Sequence, residues 1–380
     1  MRRADPAERR RLHDAFAELC AIESPSGRER ACAERVRADL GALGLEVAED
    51  DAAAEAGAEC GNLLARLPAA SGAQAGALLL CAHLDTVEPT APIEPALVDD
   101  RWENANDGIL GADNKAAVAM LLAVAHRAVV EPPPIGLELL FTVSEETGLR
   151  GAKAFDTSRL HSGFGYVFDH ASPIGDIVVA SPSHYRLEGE FRGAAAHAGI
   201  RPEQGRSAVV AGAQAVAAMR LGRIDAETTA NVGRIIGGGE STNVVPDRCR
   251  VEAEARSLDP GKAEELVAEL VDRLHDGANA AECDLDVSVQ QLFRGYRTRP
   301  SAEPVAVAEA ALRACGYAPR PIATGGGSDA NAFQSAGFQC VNLANGTERN
   351  HEPGERVSVE ALEGMLDVTL ALVDEAAARC

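Results

Sequence analysis

Histidines and acidic residues that follow short apolar segments are the part of this sequence best suited to chemistry. Their imidazole nitrogens and carboxylate oxygens are ligands that zinc accepts. Taken singly, each has an ordinary structural explanation, such as a solvated strand end, a turn residue or a helix cap. Taken together, they predict a centre for two divalent metal ions held about 3.5–4 Å apart by a bridging acid. The candidates are His83, Asp85, Asp113, Glu145, Glu146, Asp169 and His351.

The elements that must position these residues are apolar strands alternating with helices. Continuous apolar runs are typical of strands covered on both faces. The carboxyl ends of parallel strands meet at one edge of an α/β sheet, where ligands bind, so side chains at those ends are expected to converge. The sequence therefore predicts an α/β sheet with helices on both faces. Strands are expected at Leu63–Leu67, Ala77–Ala82, Leu137–Val143, Tyr166–Asp169 and Asp176–Ala180.

Helix signals flank these strands. Asp5 is a candidate N-cap for a first helix that begins with proline, and Ser26 with Glu29 forms a candidate capping box for a second. An Ala-rich helix is expected from Asn114 to Val130, where three prolines follow. Asp113, at the entrance to that helix, is either its N-cap or a bridging metal ligand.

The pattern changes after residue 182. The segment 183–293 is predicted to contain a strand, a helix, two strands, a second helix and a final strand. That β-α-β-β-α-β order is typical of ferredoxin-like α+β domains. We therefore predict a catalytic domain built from residues 1–182 and 294–380, with 183–293 inserted as a separate lobe.

The composition argues against some classes of binding partner and favours one cellular compartment. The formal net charge of −22 over 380 residues argues against nucleic acid and against an anionic membrane surface, because both attract a surplus of Lys and Arg. No apolar stretch is long enough for a membrane span or a signal peptide. The nine cysteines are odd in number and scattered, which favours reduced thiols in a cytoplasm.

Four segments, in order and over nearly the whole chain, resemble metallopeptidase family M20, and most closely its peptidase T-like branch. That family includes peptidase T, glutamate carboxypeptidase, acetylornithine deacetylase and succinyl-diaminopimelate desuccinylase. The resemblance implies a zinc-exopeptidase-type mixed sheet with an inserted ferredoxin-like lobe that serves as a dimerisation surface or lid. The segments are His83-Leu84-Asp85-Thr86, Gly111-Ala112-Asp113-Asn114-Lys115, Glu145-Glu146-Thr147-Gly148 and Asn350-His351-Glu352-Pro353-Gly354-Glu355.

The resemblance implies two overlapping sets of metal ligands. His83, Asp169 and the bridging Asp113 hold one ion, and Glu146, His351 and the same Asp113 hold the other. Zinc is the expected metal, with cobalt and manganese as alternatives.

The resemblance also implies roles for residues that are not ligands. Glu145 is the general base, Asp85 orients His83, and His197 of the lobe stabilises the oxyanion. Whether His197 acts within its own chain or from a partner protomer stays open. The Gly-rich segment around 325–329 lacks the lysine of a phosphate-binding loop, so phosphate cradling is rejected. The substrate-contacting candidates are Asn243, Arg256, Gly326 and Ser328.

These roles predict amide hydrolysis of a small peptide, and the resemblance implies that the protein is a homodimer. Within the family, an Asp at the position of Asp169 goes with aminopeptidases, which favours cleavage of dipeptides or tripeptides from the N-terminus. One alternative is a deacylase or carboxypeptidase acting on N-acyl amino acids, with Arg256 holding the substrate carboxylate. A second alternative is a non-catalytic binding protein with the same fold.

Overall fold

The computed structural model describes residues 3–71 and 76–379. These residues form two compact units. The first comprises the chain up to Val179, Thr298–Ala323 and the residues from Ser328 onward, and the second comprises Ala180–Arg297 and Thr324–Gly327. The chain changes unit close to the predicted boundaries at 183 and 293, while the division of roles between the two domains stays a prediction.

The helices and strands are numbered in chain order. The α-helices are α1 (Pro6–Cys20), α2 (Arg30–Ala42), α3 (Ala53–Ala56), α4 (Ala112–Val130), α5 (Arg150–Ala154), α6 (Ala208–Ala218), α7 (Pro260–Ala280), α8 (Glu303–Cys315), α9 (Asp329–Ser335) and α10 (Val359–Ala377). The strands up to the lobe are β1 (Val47–Glu49), β2 (Leu63–Leu67), β3 (Ala77–His83), β4 (Pro95–Val98), β5 (Arg101–Asn104), β6 (Gly136–Thr142), β7 (Phe164–His170) and β8 (Asp176–Ser181). The remaining strands are β9 (Ser183–Arg192), β10 (Gly222–Arg223), β11 (Thr228–Gly237), β12 (Arg248–Ser257), β13 (Asp284–Phe293), β14 (Tyr296–Arg297), β15 (Arg320–Ala323), β16 (Gln339–Ala344), β17 (Thr347–Glu348) and β18 (Arg356–Ser358).

A large mixed sheet forms the centre of the first unit. Its strand order is β1-β2-β6-β3-β7-β16-β8, and β15 also pairs with β8. The three adjacent pairs β6–β3, β3–β7 and β7–β16 are parallel. Every residue from Leu78 to His83 is buried, and since alternate side chains point to opposite faces, both faces of the sheet are covered here. The predicted mixed α/β fold is thus confirmed.

The helix caps near the N-terminus follow the sequence in one case and depart from it in the other. Asp5 accepts the backbone N–H groups of Ala7 at 2.8 Å and Glu8 at 2.9 Å, and Glu8 completes a capping box. The predicted capping box of Ser26 with Glu29 is wrong. α2 begins without a side-chain cap, because both of these side chains make hydrogen bonds to residues of distant segments.

A second, four-stranded sheet in the first unit was not predicted. Its strands are two to four residues long and follow the order β17-β18-β5-β4. Such short strands carry too few residues for a recognisable alternation of apolar and polar side chains. This sheet matters for function because the loop between β17 and β18 carries His351.

The second unit has the predicted ferredoxin-like order. Its antiparallel sheet is arranged β10-β11-β12-β9-β13, so the four long strands occupy the positions expected of a β-α-β-β-α-β unit. α7 buries Leu266, Leu270 and Leu274, which recur every four residues on one helix face, in the apolar core of this unit.

Two further expectations from composition can be compared with the structure. Among the described residues, none of the helices combines the length and the apolarity needed to cross a bilayer. The eight described cysteines are free thiols, and all but Cys283 are buried. Burial raises the pKa of thiols such as Cys60, to about 12, which suits packing rather than nucleophilic chemistry.

Candidate metal centre

Three parallel neighbours in the central sheet deliver acids and a histidine to the same edge. β3 ends at His83, β7 reaches Asp169 one residue before its end, and β6 ends just before the turn that carries Glu145 and Glu146. Because β3 lies between β6 and β7 and is parallel to both, the carboxyl ends of these strands adjoin. The convergence expected from the sequence is therefore present.

Asp113 and His351 come to this edge from irregular backbone. Asp113 falls within the first residues of α4, but its φ of −84° and ψ of 102° are not helical, and its side chain makes no cap. The alternative that Asp113 is an ordinary N-cap is therefore wrong. His351 has a φ of 67°, in the left-handed region that residues other than glycine rarely adopt.

The five predicted ligands form two triads that share Asp113. In the first, His83 Nε2 lies 3.3 Å from Asp113 Oδ1 and 3.6 Å from Asp169 Oδ1. In the second, His351 Nε2 lies 3.2 Å from Asp113 Oδ2 and 2.9 Å from Glu146 Oε1. The two carboxylate oxygens of Asp113 thus face different histidines, which is the arrangement that a bridging ligand requires.

The hydrogen bonding of these atoms fits metal ligation. His83 Nε2, Asp113 Oδ1 and Glu146 Oε1 are buried. Each lies within 3.3 Å of another candidate ligand atom, but none is aligned with a described residue to form a hydrogen bond. A buried polar atom without a partner costs free energy, so three of them around one point need an explanation. Each triad offers one nitrogen and two oxygens within 4.8 Å of one another, a donor set that suits a divalent ion such as zinc.

The pKa shifts of the side chains in the two triads and of Glu145 also fit a centre that binds cations. Burial, followed by the negative charge of Asp169, raises the pKa of Glu145 well above its ordinary value. Burial would also raise the pKa of Asp113, but contacts with His351 and His83 outweigh it and lower that pKa. Neighbouring carboxylates, with Asp113 first, raise the pKa of His351 to about 10. The centre thus concentrates carboxylate groups whose negative charge divalent cations would offset.

Asp85 supports the centre differently from the prediction. His83 Nδ1 lies 2.8 Å from the backbone carbonyl oxygen of Asp85, closer than the 3.4 Å to its carboxylate. The carboxylate instead accepts hydrogen bonds from the backbone N–H groups of Glu145 at 2.9 Å and Glu146 at 3.1 Å, and from the Ser26 hydroxyl at 2.6 Å. Asp85 therefore fixes the Glu145–Glu146 turn as well as the imidazole of His83.

Glu145 is the acid that neither triad needs. It is buried, and its carboxylate lies close enough to His83 and Glu146 to form a third set of potential ligands. His83 and Glu146 already belong to separate triads, so the Glu145 carboxylate lies beside the two triads without being needed to complete either.

Comparison with known protein families identifies the family to which the chain belongs. Residues 79–375 match the model of peptidase family M20/M25/M40. The chain belongs to this family. The M20 peptidase is 37% identical to the solved PepT aminopeptidase of Bacillus cereus, with a TM-score of 0.86 over 97% of this chain and 99% of that one.

Two further relatives match over most of their length. The M20 peptidase is 32% identical to a solved tripeptidase of Staphylococcus aureus, with a TM-score of 0.91 over 98% of this chain and 99% of that one. It is also 31% identical to the acetylornithine deacetylase of Myxococcus xanthus over 92% of this chain and 93% of that protein.

Several residues that support the centre of this M20 peptidase were not assigned from the sequence. Glu29 accepts the backbone N–H and the hydroxyl of Ser144, both at 3.1 Å, in the turn before Glu145. Asn350 donates its amide N–H to Asp113 Oδ2 at 2.8 Å, and Glu355 accepts the backbone N–H of Asp113 at 2.8 Å. Asn350 and Glu355 could have been assigned from the sequence, because both lie near His351 in one of the four segments that resemble the family.

The residues of the second unit that were predicted to act on substrate lie in two separate parts of that unit. His197 forms an isolated bridge with Val244, and the N–H of Ala198 donates to the carbonyl of Asn243 at 2.8 Å, so the exposed side chains of His197 and Asn243 are on adjoining segments. The carbonyl of Gly326 accepts the Ser181 hydroxyl at 2.8 Å. Their roles toward substrate stay predictions.

Arg256 and Ser328 already have structural partners. The Arg256 guanidinium donates to both carboxylate oxygens of Glu254, at 3.2 and 3.0 Å, and to the carbonyl oxygen of Gly325 at 3.1 Å. Ser328 is buried at the N-terminus of α9, where its backbone N–H donates to Asn331 at 3.1 Å. A contact between either side chain and substrate stays a prediction.

Proposed function

We propose that this M20 peptidase binds two divalent metal ions, with zinc as the expected metal, and hydrolyses dipeptides or tripeptides from their N-terminus. One observation carries the proposal: two triads of metal-ligating side chains share the two oxygens of Asp113, with a further buried acid, Glu145, beside them. A non-catalytic relative would not need to keep both triads and the extra acid.

The chain's own residues support a hydrolytic sequence. When bound, two divalent ions supply Lewis acidity, which lowers the pKa of the attacking water and polarises the scissile carbonyl. Glu145 accepts the proton of that water and returns it to the departing amine. Glu145 is buried beside both triads, and that position suits a group that must serve both steps.

Two observations support the choice of an aminopeptidase, in addition to the residue type at Asp169. The two solved relatives that match nearly the whole chain are named as an aminopeptidase and a tripeptidase. Arg256, on which the deacylase alternative depends, already has its charge balanced by Glu254. An arginine in a charge-balanced pair is less available to a substrate carboxylate.

We expect a tripeptide with a free amine to be hydrolysed with a kcat/KM at least about 100-fold higher than that of its N-acetylated form. A site built for a charged amine leaves its polar groups unpaired when that amine is blocked. The measurement is initial rates for the matched pair, with zinc, cobalt or manganese added to the metal-free protein.

A preference for the acetylated substrate would favour the second candidate, a deacylase of N-acyl amino acids, which the similarity to an acetylornithine deacetylase supports. The N-acetyl amino acid alone serves as a third substrate, because it tests the deacylase without a peptide bond.

We further propose that the second unit forms a homodimer through β11. Beyond Ala230, β11 has no partner strand on the β10 side among the described residues. Ile235 and Ile236 are 48% and 47% exposed on this edge. The opposite edge strand, β13, begins with Asp284 and Asp286, and charges of this kind discourage pairing between edge strands. The eight cysteines that the structure describes are free thiols, which supports a reducing compartment such as the cytoplasm.

The substitution Ile236→Lys is expected to convert the dimer to a monomer in analytical ultracentrifugation, because a charge would have to be buried where two β11 strands pair. Val289→Lys is the matched control, since Val289 is 45% exposed on the other edge strand. Dissociation of the Val289 variant instead, or a wild-type protein that sediments as a monomer, would contradict this arrangement.

A further inference from the structure

Glu355 is a buried acid that holds the backbone on which the bridging ligand lies. Only 1% of its surface is exposed. Its Oε2 accepts the backbone N–H groups of Leu110 at 2.9 Å and Gly111 at 2.8 Å, and its Oε1 accepts that of Asp113 at 2.8 Å. One carboxylate thus receives three main-chain donors from the segment that enters α4.

These donors have few alternatives. The first N–H groups of a helix have no partner within the helix, and Asp113 in addition has a non-helical backbone. A hydrogen bond to a carboxylate is among the stronger ones that a backbone N–H can make. The position of Asp113 therefore depends on an acid 242 residues away in the chain.

The same acid lies at the end of the loop that carries His351, which belongs to the second triad alone. Glu355 immediately precedes β18, and His351 lies in the loop between β17 and β18. His351 Nε2 faces Asp113 Oδ2 at 3.2 Å. Glu355 therefore ties together the two irregular segments that meet in the second triad, although it belongs to none of the potential ligand groups of the described chain.

We propose that Glu355 is a positioning residue that sets the affinity of the Asp113–Glu146–His351 triad for its metal ion by holding the Asp113 segment against the His351 loop. Partners of metal ligands that are not ligands themselves typically change metal affinity about 10–100-fold when they are replaced. This inference rests on the proposed two-metal function.

The test is Glu355→Gln, which keeps the size of the side chain but replaces one acceptor oxygen with an N–H₂ group facing backbone donors. We expect zinc titrations of the metal-free protein against a competing chelator to give two tight ions for the wild type. In the variant, the affinity of the ion held by Asp113, Glu146 and His351 should fall about 10–100-fold. The affinity of the other ion should fall less, because that triad shares only Asp113 with the segments that Glu355 joins. Cobalt titrations followed by absorption report the same loss through the ligand geometry, independently of turnover.

Glu138→Gln is the matched control. Glu138 is also a buried acid of the first unit, and its Oε2 accepts the backbone N–H groups of His161 and Ser162, both at 2.9 Å. That substitution should lower the melting temperature of the metal-free protein while leaving both zinc affinities unchanged. Equal losses of zinc affinity in the two variants would mean that Glu355 contributes only to general stability, and would overturn the proposal.

Each remaining outcome also bears on the proposal. Wild-type affinity for both ions in the Glu355→Gln variant would overturn it and leave the two-metal function intact. A wild-type protein that takes up fewer than two ions would overturn the proposed function and this inference with it. Glu355→Asp serves if the Gln variant does not fold, because it keeps the charge but is one methylene too short, and the same loss of affinity is expected.

Discussion

Replacing Glu145 with Gln is expected to lower kcat by about 10²–10⁴-fold while the protein keeps both metal ions, because the amide cannot accept a proton from water or return it to the amine. The Glu145 carboxylate lies beside the triads, and neither triad requires it. Its backbone N–H, which Asp85 holds at 2.9 Å, is unchanged by the substitution, so the turn should keep its shape. Steady-state kinetics on a free tripeptide, together with metal analysis of the same sample, provide the measurement.

The adjacent residue provides the control. Glu146→Gln removes a charged ligand whose Oε1 lies 2.9 Å from His351 Nε2, so it should lower metal content as well as turnover. Two neighbouring acids should thus lose activity for different reasons. If Glu145→Gln loses one ion as Glu146→Gln does, then Glu145 is a ligand, and the proton-transfer role assigned to it is wrong.

Replacing Asp113 with Asn is expected to weaken the binding of both ions and to abolish turnover under limiting zinc. Asp113 is the residue that faces both histidines, at 3.3 Å from His83 and 3.2 Å from His351. An amide presents one neutral oxygen where a bridge needs two anionic ones, and it leaves the positive charges of both sites less well balanced. Zinc titration of the metal-free variant measures the loss at each site.

His351→Ala is the comparison for this prediction, since it removes a ligand from one triad alone. The expected series is two tight ions for the wild type, one for His351→Ala, and none of comparable affinity for Asp113→Asn. A single lost ion in the Asp113 variant would mean that Asp113 serves only one site. The His351 side chain is 49% exposed, so we expect its replacement with Ala to leave the core intact.

The sequence by itself determined the fold class and the chemical type of the centre. Apolar runs such as Ala77–Ala82 predicted buried strands, since the burial of successive side chains is a local property of a strand. The alternation of strands and helices after residue 182 predicted the ferredoxin-like order for the same reason. His83, Asp113, Glu146, Asp169 and His351 could be nominated from residue type and their places beside these elements.

The tertiary structure decided which atoms of these residues meet and what supports them. The backbone carbonyl of Asp85 orients His83, and the carboxylate of Asp85 accepts a hydrogen bond from the turn that carries Glu145. Ser26, which was predicted to cap a helix, instead donates a hydrogen bond to Asp85. Glu355 reaches Asp113 across 242 residues. Local patterns specify local backbone conformation, but hydrogen bonds between distant segments depend on how the elements pack, and that packing is a property of the whole chain.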